Sequence, residues 1–443
     1  MASTYLTFTQ QTPSTAEAQK FTLSMWVKKC GQGTEQGLYG NTYSNTHRGY
    51  IYFDSADRLA FFDSSGTNIK LSRKFRDANS WYHIVFAVDT TQSSDADKIK
   101  IYINGELYAG SYSSNTYPNN NQDLKIMNTT NTPYMGRYVE AGTSYYFQGA
   151  LSHVHFTQGY VYQASDFGET DATTGEWKIK TSPSISNYGT NGFWWLKDSI
   201  ATTDHSPNSN SFSVGGGTLT KTEDCPSNVF CTMNPLDNQN QGSTFTIANN
   251  KIEWNTNNKT NFATFAVNKG KWYWEMKFAD NTGGNDAMTG VCREVSRDGS
   301  DWVGHDSHGW SYYASQGNKY HGGSGSSYGN SWTTNDIIGV AFDADTRTLW
   351  FSKNGTWQNS ATISEIAAGT TTNSAFTNFG TAGEFFFPAT SGYDGNKIEY
   401  NFGNGYFSTT AVASAGSNAS NLGIFEYDVP NNFTALCTKG LNE

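Results

Sequence analysis

Residues 336–357 read DIIGVAFDADTRTLWFSKNGTW, and residues 81–106 read WYHIVFAVDTTQSSDADKIKIYINGE. Each stretch writes an apolar run, an Asp-led polar break, a second apolar run and then Asn-Gly. In the later stretch Ile338, Val340 and Phe342 share one side, as do Leu349 and Phe351. This period of two belongs to half-buried strands and not to helices. In the earlier stretch Ile84, Phe86 and Val88 alternate, then Ile99, Ile101 and Ile103, with Lys98, Lys100 and Tyr102 on the opposite side. The polar breaks and the Asn-Gly pairs supply turns, because these residues tolerate the positive φ that tight hairpins demand. A chain that writes this unit twice is expected to build two antiparallel sheet systems.

Composition agrees. Among 443 residues only 15% are charged, against roughly 25% in ordinary globular chains, while 15% are aromatic and 44 are glycine. Thr, Ser, Asn, Gly, Tyr and Trp dominate, and helical runs of Ala, Leu, Glu and Lys are almost absent, which predicts an all-β protein. A net charge of −10 argues against a nucleic-acid partner, since phosphate tracking needs clustered Lys and Arg. No apolar run approaches the roughly 20 residues needed to cross a bilayer, and the opening residues lack the charged-then-apolar layout of a secretory signal. The expectation is a soluble protein made in a cytoplasm, with no membrane insertion. Cys30, Cys225, Cys231, Cys292 and Cys437 are odd in number and irregularly spaced, which points to reduced thiols and not to a disulfide framework. No cofactor or metal is predicted; Cys225 and Cys231 have no histidine at finger spacing.

Further strands are legible from Phe21 (FTLSMWVK), Tyr145 (YYFQGALSHVHF) and Asn191 (NGFWWLK) in the first half. In the second half GKWYWEMKF puts Trp272, Trp274, Met276 and Phe278 on one face and Tyr273, Glu275 and Lys277 on the other. A short helix is expected from Ile363. The polar, glycine-rich residues 205–228 read as a linker or long crossing loop. The boundary is placed near residue 222, giving domains 1–222 and 223–443.

The motifs GKWYWE, TGVCR, HGW, DIIGVAFD, LWFSKNG, FFFPA and YNFG occur in that order over most of residues 230–408, and this half resembles a SPRY domain, a two-sheet sandwich that usually binds partners. FTLSMWVKK, SWYHIVFAVDTT, KIKIYINGE, YMGRY and GALSHVHF, within roughly residues 3–198, resemble the laminin-G or concanavalin-like jelly roll. The tandem, together with FGETDATTGEW, CPSNVFCTMNPLDN and YDVPNNFTALCTKGLNE, is similar to surface proteins of tailed bacteriophages, marine ones especially. That resemblance implies a virion structural role, with assembly in the host bacterial cytoplasm and other capsid or tail proteins as partners. It also accounts for unpaired thiols.

Concanavalin-like folds also host glycoside hydrolases, which need two carboxylates facing one sugar. The chain offers only ETDAT, where Glu169 and Asp171 lack the third acid of the related hydrolases and sit among turn residues, so a solvated loop is expected. His153 and His155, two apart on a strand, are expected to point to one side as paired metal ligands can, with no third ligand evident. His305 and His308 form a second pair, in which HGW belongs to the SPRY-like sheet pattern. No nucleophile elbow is present, and HGGSGSSYGNSW lacks the Lys and helix of a phosphate cradle.

The remaining signal is aromatic. Trp302 in RDGSDWVGHD and Trp357 in NGTWQNS lie in polar, turn-rich stretches, and with His305 and Asp306 they are the predicted ligand-binding residues. A flat ring beside hydrogen-bonding groups stacks on a sugar or anchors a protein contact. The reading is a noncatalytic virion protein, acting as fibre, decoration or adhesion component, that contacts neighbouring virion proteins or host surface glycan. With no coiled coil in the chain, any homo-oligomer in the particle is expected to form through the sides of the sandwiches. A carbohydrate-active enzyme or lectin and a SPRY-type peptide-binding adaptor are the alternatives.

Overall fold

The computed structural model describes residues 3–127, 132–197, 200–237, 242–293 and 302–442. The chain is almost entirely strand and turn, and it divides into two compact units, Met1–Lys221 and Thr222–Glu443. Each is a sandwich of two sheets.

In the first unit the larger sheet runs, in spatial order, Tyr112–Thr116, Thr67–Lys74, Arg58–Asp63, His47–Phe53, Gln36–Ser44, Tyr134–Met135, Tyr5–Thr7 and Ser213–Gly216. The smaller runs Phe193–Trp195, Gly149–Gln158, Lys20–Lys29, Trp81–Asp89, Ile99–Ile103 and Glu106–Leu107. Alternation decides what lies between them. Leu23, Met25 and Val27, then Ile84, Phe86 and Val88, then Ile99, Ile101 and Ile103 turn inward against Ile51, Phe53, Leu59 and Phe61 of the facing sheet. Burying one Leu, Ile or Phe side chain contributes about 1.5–3 kcal/mol, so this contiguous cluster is the main source of the unit's stability.

The second unit repeats the plan. One sheet runs Ser243–Thr246, Lys251–Trp254, Asn396–Asn401, Lys271–Asn281, Ile337–Asp343, Thr348–Lys353 and Thr356–Trp357, with Thr434–Ala435 added in parallel to Lys271–Asn281. The other runs Lys259–Phe262, Phe386–Gly392, Met288–Arg293, Gly309–Tyr313, Asn318–His321 and Ser324–Ser327. Trp272, Trp274, Met276 and Phe278 all face the core, as the alternation of GKWYWEMKF requires. The short helix is Ile363–Ala367, with Thr362 and Glu365 forming its capping box.

The two Asn-Gly turns are built alike. Asn104 and Asn354 both adopt positive φ, 51° and 49°, and each is followed by a glycine, at 85° and 79°. Over each glycine lies an aromatic ring from a segment later in its own unit. A Cβ on Gly105 would stand 2.6 Å from the Trp177 ring, and one on Gly355 would stand 2.6 Å from the Tyr427 ring. In the first unit the covering segment packs Ala164 and Phe167 on Val85, Ala87 and Tyr102, on the sheet's outer side. In the second, Phe425, Val429, Phe433 and Ala435 cover Tyr273, Ala341 and Trp350. The face carrying Tyr273 and Glu275 is therefore buried, both residues at 0% exposure.

Two expectations need correction. Residues 205–228 are not a free linker. Phe212 lies in the first core, and Ser213–Gly216 pairs with Tyr5–Thr7 as an edge strand. Asp204 ties down the approach, accepting from the backbone N–H groups of Trp194 (2.8 Å), Ser206 (2.9 Å) and Asn210 (2.7 Å). The glycine run is a strand because the Tyr5 ring lies on it; a Cβ on Gly215 would stand 2.2 Å from that ring. The end of the stretch already belongs to the second unit, where Cys225 and Asn228 bridge. Nor does simple strand alternation relate His153 to His155. A bulge between Ser152 and His155 places His153 at φ 46°, so the alternation on which the pairing rested is broken there.

Candidate functional site

Residues 302–308 form a turn lying on the outer side of the second unit's smaller sheet. Val303 anchors it. The side chain is buried with Phe262, Cys292 and Ala389, its N–H donates to Ser391 Oγ (3.1 Å), and its carbonyl accepts from Ser311 Oγ (2.6 Å). The turn is then held against the next hairpin, with Gly322 N–H donating to the Asp306 carbonyl (2.8 Å) and Gly323 N–H to the Gly304 carbonyl (2.9 Å). Residues 297–301, the first half of the polar stretch read from the sequence, lie outside the described residues.

This anchoring leaves Trp302 half-buried and His305 exposed. The Trp302 ring meets His305 edge-on at 5.2 Å and Tyr320 edge-on at 5.2 Å. Tyr320 in turn meets Tyr313 edge-on at 5.6 Å. Asp306 holds His308 from both sides, accepting its backbone N–H (2.8 Å) and lying 2.8 Å from its Nδ1. Tyr313 donates its hydroxyl to Asp286, and burial together with that carboxylate pushes its phenol up to about 12. The result is a run of three half-buried rings edged by His305, Asp306 and Asp286. Such a surface can stack on a flat apolar ligand face and hydrogen-bond hydroxyls beside it.

Of the four predicted residues, Trp302, His305 and Asp306 come together and Trp357 does not. Trp357 is 8% exposed and packs edge-on to Tyr273 at 6.4 Å in the cluster covered by residues 425–437. Its polar neighbours in sequence are turn residues; Thr356–Trp357 pairs back onto Ser352 and Lys353, which lays the ring on the sheet. Tyr313 and Tyr320 were missed, although for Tyr313 a signal existed. GWSYY places aromatics at both parities of one strand, so one of them had to face outward.

The other candidates resolve into local structure. Glu169 and Asp171 both lie near Lys178 Nζ, at 3.7 and 3.0 Å, and Asp171 also accepts from Thr173 and Thr174 N–H. Those bonds and Lys178 hold the Asp171 carboxyl well below the usual range. His83 is stacked between Trp26 and Trp177, at 5.0 and 5.9 Å. Trp177 Nε1, which can only donate, is 3.0 Å from His83 Nδ1, so the proton sits on Nε2, 2.9 Å from Ser24 Oγ. Burial pushes this imidazole down to about 3, and His155, bonded through Nδ1 to the Tyr188 hydroxyl at 2.9 Å, is lowered for the same reason. Among the described residues no group of three or more His, Cys, Asp or Glu is arranged to hold a metal, and none of the five cysteines forms a disulfide.

Comparison with known proteins agrees with the two sandwiches. Residues 1–164 match the concanavalin A-like lectin/glucanases superfamily, and residues 271–405 match the SPRY domain family. Both kinds of domain can mediate binding. Among solved structures, the SPRY domain of human HERC1 is 24% identical, covering 34% of this chain and 87% of its own, with a TM-score of 0.27. A human SPRY domain is 16% identical, with coverages of 36% and 94% and a TM-score of 0.28. The PSpry domain of TRIM65 is 12% identical, with coverages of 39% and 91% and a TM-score of 0.30. No curated protein matches the chain. The chain thus carries a concanavalin A-like sandwich followed by a SPRY-like one.

Proposed function

We propose that the chain is a noncatalytic surface component of a tailed-phage particle, and that its second sandwich engages a hydroxyl-rich ligand, host surface glycan, through Trp302, Tyr320 and Tyr313. The observation that carries the binding part is the run of half-buried rings edged by His305, Asp306 and Asp286. Buried core aromatics need no such polar edge. The virion part is supported by the tandem's resemblance to phage surface proteins and by cysteines that form no disulfide, which suits assembly in a reducing cytoplasm.

Stacking one sugar on one such ring contributes on the order of 1 kcal/mol beyond burial, so a single site binds weakly. Many copies on one particle raise the avidity without any new contact. A glycan array probed with the multivalent protein tests the reading, alongside a polysaccharide turnover assay. Glycan binding that Trp302→Ala and Tyr320→Ala weaken, with no turnover, is expected. Turnover lost in Glu169→Gln would favour the enzyme reading, and capture of peptides alone would favour an adaptor.

A further inference from the structure

Residues 406–442 follow the part of the second unit that matches the SPRY family. Residues 408–421 are polar and largely exposed; from Phe425 onward the chain lies on the outer face of the larger sheet, burying Phe425, Val429, Phe433, Ala435 and Cys437 there. At the centre of this contact is one side chain. Glu275 accepts from the N–H of Glu426 at 2.8 Å and of Tyr427 at 2.9 Å, from Asn401 Nδ2 at 3.2 Å and from the Tyr273 hydroxyl at 3.1 Å. It is fully buried. Beside it Gly339 lets two side chains close in: a Cβ there would stand 2.4 Å from Ser352 Oγ and 2.7 Å from the Tyr273 hydroxyl. Ser352 Oγ, buried under the same segment, has no hydrogen-bond partner.

Among the described residues no cation forms an ion pair with this carboxylate. On its own strand Lys271 pairs with Asp343 at 3.6 Å, and among the described residues Lys277 makes no ion pair with it. On the neighbouring strand Lys397 pairs with Asp280 and Glu253, and Glu399 pairs with Lys251. The covering segment brings Glu426, Tyr427 and Asp428, which are acidic or neutral. Burying an unpaired charge is costly, whereas a neutral carboxyl is tolerated.

We infer that residues 425–441 form a proton-sensitive strap, closed over the outer face of the larger sheet while Glu275 is neutral and opening more often once it is ionised. The hydrogen bonds from Glu426, Tyr427, Tyr273 and Asn401 favour the ionised form, but burial is the larger influence and pushes the carboxyl up to about 7. An open strap returns it to water and to its ordinary value of 4.5. The closed state therefore binds the proton more tightly. Closure is fully favoured below the ordinary value and is progressively lost as the pH rises toward 7. Opening uncovers Tyr273, Trp350 and Trp357.

Hydrogen exchange on the intact chain, read from peptides within residues 412–442 and corrected for intrinsic rates, tests this at pH 5.5 and 7.5. Protection of these peptides is expected to fall about tenfold or more between the two values, while peptides from Met288–Arg293 and Phe386–Gly392 keep theirs. Glu275→Gln, which keeps the size and stays neutral, should abolish the difference. Unchanged wild-type protection overturns the inference without recourse to any variant. So does a fall in protection that persists in Glu275→Gln.

Discussion

Asn354 closes the hairpin onto Ile337 twice: its backbone N–H donates to the Ile337 carbonyl at 2.8 Å, and its side-chain Oδ1 accepts the Ile337 N–H at 2.8 Å. Asn104 does the same to His83 in the other unit, again at 2.8 Å for both bonds. Each asparagine extends the ladder by one residue where the chain must turn. Asn354→Ala should leave the Ile337 N–H buried without a partner and place alanine at positive φ, costing about 2–3 kcal/mol. Asn104→Ala should cost a similar amount in the first unit. Unit-resolved hydrogen exchange under denaturant checks both, and each loss should stay within its own unit.

The glycines that follow test the overlying rings. Alanine at Gly105 or Gly355 meets both a positive φ and an aromatic ring at 2.6 Å. Each change should destabilise its unit by roughly 2 kcal/mol or more. Trimming the ring should recover part of that loss, so Gly355→Ala with Tyr427→Ala should be less than additive in a double-mutant cycle.

Acid should weaken the first unit through its histidines. His83 titrates near 3 when folded and near 6.5 when unfolded, and His155 is shifted the same way. Below 6.5 the unfolded chain takes up protons that the folded one refuses. The stability that neutral His83 represents is present above about 6.5 and lost as the pH falls toward 3, by about 1.4 kcal/mol per unit. Exchange from peptides covering residues 81–103 should speed up, after intrinsic correction, between pH 6.5 and 5. The strap of the second unit should tighten over the same interval.

Most strands were legible because alternation alone decides which face a strand buries. Ile84, Phe86 and Val88, and Trp272, Trp274 and Met276, needed no further information. What escaped depends on contacts distant in sequence. Alternation puts Tyr273 and Glu275 on the face opposite Trp272 and Trp274, but nothing local announces that residues 425–437 return to cover them. The same cover hides Trp357. Residues 205–228 read as a linker or long crossing loop because Asp, Ser, Asn and Gly serve flexible chains and tight turns alike. Only Asp204's three backbone partners and the Tyr5 ring separate the two cases. At the candidate site Trp302, His305 and Asp306 were local and therefore visible, whereas Tyr320 joins them only through the pairing of Asn318–His321 with Gly309–Tyr313.

On the proposed reading Trp302 and Tyr320 form the ligand-binding surface of a phage particle, and adsorption to host cells reports on that surface. Particles carrying Trp302→Ala with Tyr320→Ala should assemble normally, since both rings are half-buried on the sheet's outer side and lie outside the main core. They should adsorb at least about tenfold more slowly than wild type, the effect of losing about 1.4 kcal/mol at each of many sites. Normal assembly with adsorption at the wild-type rate would contradict the account.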